Sequence, residues 1–116
     1  MILFLLLVLL GLTTQIHAGE HPAVVILKTH CVSCHGGDAP VRDLDLRTRE
    51  TTLRGGARGP AIKPGDVLES LLYRTITHEH DVKMPMGKPK LSDADIKVIK
   101  IWIQDGAPWE EQKDSK

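Results

Sequence analysis

The chain has 116 residues, with 15 Lys plus Arg balanced by 15 Asp plus Glu, so its formal net charge is zero. That length supports one domain and is too short for two well-buried cores, and the balanced charge lacks the basic footprint of a nucleic-acid-binding protein. One Phe, one Tyr and two Trp leave a core built from aliphatic side chains, which a large apolar cofactor would complete.

Residues 2–12 are apolar apart from Gly11, and Gln15, His17 and Ala18 then lead into Glu20-His21-Pro22. The run is too short for a spanning helix and reads as a secretory signal peptide cleaved after Ala18. The expected organisation is therefore a signal over 1–18, a folded domain over 19–109 and a charged tail over 110–116, in a periplasmic or otherwise exported protein. One departure is that no Lys or Arg precedes the apolar run. A buried N-terminal helix and a retained membrane anchor are the alternatives, and membrane association is expected only if the segment is retained.

The first predicted helix runs from Pro22, which suits a first turn, to Cys34, with Ala23, Leu27, Cys31 and Cys34 on one face. Val24-Val25-Ile26 would suit a strand locally, so the helix rests on what the cysteines need. Residues 36–65 are rich in Gly, Pro, Asp and Arg without a sustained period and read as a long loop, with a turn of helix near Thr48 to Leu53. A second helix is expected from Val67 to Ile76, started by Asp66 with Glu69 in capping-box fashion and carrying Leu68, Leu71, Leu72 and Ile76 on one face. Ser92 with Asp95 starts a third, stapled by Leu91 and Ile96 and continued by Ile99 and Ile103. Gly106 and Pro108 end it.

Cys31-Val32-Ser33-Cys34-His35 carries the chemistry. On a helix the two thiols lie one turn apart, within reach of the two vinyl groups along one side of a haem, and His35 can present an imidazole nitrogen to iron. A structural disulfide, a redox dithiol and half a zinc site compete with that reading. A thioredoxin-like dithiol belongs near a βαβ pattern, which is missing, and zinc needs further ligands in comparable pairs.

A second axial position would then draw on His78, His80, Met84 or Met86. Met84 is favoured, because Pro85 fixes the backbone beside it and the loop joins two capped helices. Met86 is its closest competitor, while His78 and His80 read more simply as a solvated helix end. A bound Met thioether favours electron transfer, whereas an open position permits reaction with small molecules. Arg42, Arg47, Arg49, Arg54 and Arg58 follow the motif, and one or two of them could pair with haem propionates. Lys83, Lys88 and Lys90 flank Met84 and could form a positive collar for an acidic redox partner.

Several stretches resemble the planctomycete-type cytochrome c domain, a branch of the class I cytochrome c fold. They are Cys-Val-Ser-Cys-His-Gly at 31–36, Leu-Asp-Leu-Arg-Thr-Arg-Glu at 44–50, Gly-Pro-Ala-Ile-Lys-Pro-Gly-Asp at 59–66 and Ser-Leu-Leu-Tyr-Arg at 70–74. Met84-Pro85 and the run from Leu91 to Trp109 complete the likeness, which spans roughly 22–109. The resemblance implies thioethers at Cys31 and Cys34, proximal ligation by His35, distal ligation by Met84 and a Pro60 carbonyl that orients His35. Two features depart from it. Family members commonly have Met-Pro-Pro where this chain has Met84-Pro85-Met86, and the domain tends to head much larger proteins, whereas a short polar tail here implies a free-standing carrier.

The expected fold is all-α: a small cytochrome c-like helical domain wrapped around one covalent haem c, with a long loop between the first and second helices. The expected function is single-electron transfer between redox protein partners by His/Met-ligated iron, without enzymatic activity, since no catalytic triad, acid–base pair or phosphate loop is legible. A haem-based sensor or peroxidase-like protein with a displaceable sixth ligand is the alternative. A haem-free thiol or metal-binding protein is a third.

Overall fold

The computed structural model describes residues 19–110, so the signal-peptide reading and residues 111–116 of the tail lie outside the described residues. Within them the chain is helical, without strands, and carries one isolated bridge between Gly56 and Gly59. No described helix is long and apolar enough to cross a membrane.

Helix α1 covers Pro22–His30. Pro22 enters its first turn, and the His21 ring caps it by accepting from the Ala23 amide at 3.1 Å. Ala23, Val24, Ile26 and Leu27 form its buried face. The helix ends four residues earlier than its sequence pattern suggests. The Leu27 carbonyl accepts from both Cys31 and Val32, at 2.9 and 3.0 Å, and Cys31 leaves helical geometry with φ −122°. The amides of Cys34 and His35 then turn back onto the Cys31 carbonyl. The two cysteines therefore sit on a separate turn, not on one helical face.

The expected loop over 36–65 contains more order than its composition indicates. A 3-10 turn spans Val41–Asp43, and α2 spans Arg49–Arg54 where one turn of helix was anticipated. Thr48 caps α2 through its side chain, and Gly55, at φ +73°, ends it. A Cβ on Gly55 would fall 2.0 Å from the Gly59 carbonyl oxygen, so this crossing of the chain over itself requires glycine.

Helix α3 covers Leu71–Ile76, shorter than the predicted Val67–Ile76. Asp66 does accept from the Glu69 amide at 3.2 Å, but this closes a turn and starts no helix. Ser70 explains the delay. Its fully buried hydroxyl accepts from the Lys63 amide at 2.9 Å and donates to the Asp66 carbonyl at 2.7 Å, which holds residues 63–70 as a closed turn. As a result Val67 is buried and Leu68, expected on the apolar face, is 70% exposed.

Helix α4 covers Asp93–Gln104 and starts where the capping pattern places it, with Ser92 accepting from the Asp95 amide at 3.1 Å. Leu91 and Ile96 are buried as a staple requires, and Gly106 takes φ +93° beyond the helix end. Helix α4 packs against both α1 and α3, burying Ile99, Trp102 and Ile103. Trp102 donates to the Pro108 carbonyl at 2.8 Å and its ring lies 5.8 Å from that of Trp109. Arg49 of α2 donates to the carbonyls of Gly106 and Ala107 at 3.1 Å, tying the central loop to the end of α4.

Candidate functional site

The fold leaves a cavity of about 490 Å³, a size typical of small-molecule and cofactor sites. Its wall is chiefly apolar, with Leu44 and Leu46 from the loop, Ala61, and Leu72 and Ile76 from α3. Cys31, Cys34, His35, Met84 and Met86 all line it. Residues up to 55 apart in the chain thus meet around one space, although the two cysteines reach it from a turn and not from a helix face.

The His35 ring is fixed by a neighbour that its sequence context does not announce. A carbonyl oxygen can only accept, so Nδ1 of His35 donates to the Val41 carbonyl at 3.1 Å. That bond places the proton on Nδ1 and leaves Nε2 with a free lone pair, the form in which imidazole binds a metal. The carbonyl beside His35 is that of Val41, in place of the expected Pro60. The Val41 amide bonds the Cys34 carbonyl at 2.9 Å, and the Leu46 amide bonds the His35 carbonyl at 2.8 Å, so backbone and ring are held together.

Both thiols are free. Burial pushes the Cys31 thiol up to about 11, and the neighbouring Cys34 adds to the rise. A thiol kept protonated at neutral pH is a poor thiolate nucleophile. Among the described residues no group of three or more His, Cys, Asp or Glu side chains is placed to hold a metal ion, so no zinc constellation is gathered around these cysteines.

The two methionines differ in setting. Met84 is half-buried and packs against the core, its amide bonding the Thr75 carbonyl at 3.1 Å and its carbonyl accepting from His78 Nε2 at 3.1 Å. Met86 is 69% exposed. The Met84–Pro85 peptide bond is cis. His78 and His80 are half-buried and do not line the cavity. Instead of forming a solvated helix end they brace the loop: His78 holds Met84, and His80 Nδ1 accepts from the Val82 amide at 3.1 Å.

His30, which the motif reading passed over, also lines the cavity and lies 4.0 Å from Asp95 of α4. Its position directly before Cys31 was the only available signal. Arg42, Arg58 and Lys88 reach the cavity wall as well, whereas Lys83 and Lys90 are exposed beyond it.

An all-helical domain with a five-residue pair of thiols and an imidazole on an apolar cavity has the donor set and the space of a covalent haem protein. The family model described as Planctomycete cytochrome C matches residues 31–86, from the first thiol to the second methionine, so this segment is similar to the planctomycete-type cytochrome c domain. That similarity implies covalently bound haem c with its iron. No curated protein and no solved structure matches the chain.

Proposed function

We propose that the protein is an exported monohaem c-type cytochrome that passes single electrons between redox proteins, with Cys31 and Cys34 as the thioether residues and His35 and Met84 as the axial iron ligands. The observation that carries this reading is the convergence of those four side chains on one apolar cavity. When bound, haem c supplies a one-electron iron couple.

The protein's own residues set the conditions for that couple. Val41 keeps the His35 ring in the tautomer whose Nε2 can bind iron. Thr75 and His78 fix the backbone of Met84 on both sides, so its thioether is presented without the ordering cost of a free loop. The leucine and isoleucine wall excludes water and lowers the local dielectric, which favours the less charged reduced state. Lys88 at the cavity, with Lys83 and Lys90 outside it, supports docking of an acidic redox partner at this edge. The role is transfer without turnover of a substrate, in the periplasm or an equivalent exported space.

Mass spectrometry of protein produced together with haem-attachment machinery tests the reading. The expected mass is that of the processed chain plus one haem, and Cys34→Ser should carry at most one thioether. An unmodified mass for the wild-type chain would refute the proposal.

A further inference from the structure

Helix α1 starts without the small polar residue that ordinarily caps a helix. Its cap is His21, and its first turn holds no acidic side chain, whereas Ser, Thr, Asp or Asn is the usual acceptor at this position. His21 supplies the acceptors for that turn by itself. Pro22 has no amide hydrogen, the Val24 and Val25 amides donate to the His21 carbonyl at 2.8 and 3.2 Å, and the Ala23 amide donates to the ring at 3.1 Å.

An amide nitrogen can only donate, so Nδ1 of His21 accepts and carries no proton, and the ring hydrogen is on Nε2. Protonation would turn Nδ1 into a donor facing the Ala23 donor. Water offers little in exchange, because Ala23 is fully buried, and a buried donor without an acceptor is costly. The first turn must then open for its amide to be solvated.

Nothing around the ring compensates a positive charge. Among the described residues His21 has no ion-pair partner, and its chain neighbour Glu20 is taken by Lys28 of α1. Among the described helices α1 packs on α4 alone, and α4 presents Trp102, which is uncharged. The two rings lie 6.4 Å apart and tilted by 41°, beyond the approach of about 6 Å at which a cation gains from an aromatic face. The start of a helix is itself the positive end of its dipole.

We propose that His21 is a pH-sensitive lock on α1: the neutral ring holds the first turn in place against α4, and its protonation releases that turn. The contribution is present above the ordinary imidazole range, about pH 6.5, and is lost as the pH falls through it. The far end of the same helix carries the cysteine turn, whose Cys31 and Val32 amides bond the Leu27 carbonyl, so the lock secures the element from which that turn hangs.

The test compares the purified wild-type protein with His21→Asn, which caps without titrating in this range. Guanidinium denaturation is followed at pH 7.5 and pH 5, together with the exchange protection of the Ala23 amide, corrected at each pH for the intrinsic rate. Between the two pH values the unfolding equilibrium constant of wild type should rise about 2- to 30-fold relative to the variant, the range for losing a cap, and the Ala23 amide should lose protection in wild type alone. His21→Ser serves if His21→Asn does not fold, and the wild-type exchange needs no variant. Parallel pH profiles in the two proteins, or an Ala23 amide equally protected at pH 5 and pH 7.5 in wild type, would overturn the inference.

Discussion

Replacing Met84 and Met86 by alanine, one at a time, separates the two thioethers on the cavity by quantities that the structure supplies. Met86 is 69% exposed, so its truncation removes little packing and should change stability by less than about 0.5 kcal/mol. Met84 is half-buried against the core. Full burial of such a side chain is worth about 1.5–3 kcal/mol, so packing alone predicts a loss of about 1 kcal/mol, and loss of an iron bond adds to it. The assay is the optical spectrum of the ferric holoprotein, read for the weak far-red charge-transfer band of sulfur-ligated iron, followed by guanidinium denaturation. Met84→Ala should lose the band, lower the reduction potential and lose more than about 1 kcal/mol, while Met86→Ala keeps the band and the wild-type midpoint. A band that survives in Met84→Ala, or disappears in Met86→Ala, would refute the assignment.

Two further expectations concern the scaffold. Ile103 is fully buried in α4, and Ile103→Ala should cost about 2–5 kcal/mol through lost contacts and a residual cavity; a loss below about 1 kcal/mol in urea would show that α4 is not the centre of the core. Hydrogen bonds from the Arg47 side chain, ahead of smaller backbone and charge effects, hold the Asp45 carboxyl below the usual carboxylate range. A depressed folded-state value means the stabilisation is complete above the unfolded carboxylate value of about 4 and is lost as the pH falls through the lower folded one. The stability advantage of wild type over Asp45→Asn should therefore be present at neutral pH and vanish in acid, and an advantage that grows on acidification would reverse the argument.

The local features of the chain were legible because their causes are local. The Ser92 cap, the Leu91–Ile96 staple and the Gly106 stop depend on side chains within a few residues of one another, and α4 begins and ends accordingly. The spacing of Cys31, Cys34 and His35 likewise carries its chemistry whether or not the helix continues through it. The same reasoning overextended α1 and α3, since neither end is decided by its own periodicity. The turn at Cys31–His35 must feed the cavity, and the buried Ser70 hydroxyl bonds backbone groups of Lys63 and Asp66 that no helical pattern displays.

What the sequence determined by itself is an all-helical tendency, the donor set of the motif and a short list of candidates for the opposite side of the site. Tertiary structure alone decided that Met84 is packed inward while Met86 faces water, that His78 and His80 brace a loop, and that Arg42 and Arg58 both line the cavity. It also decided that Val41 orients His35. Every residue carries a carbonyl, so side-chain identity cannot mark which one will be used, and only the path of the folded chain brings one donor and one acceptor within 3.1 Å.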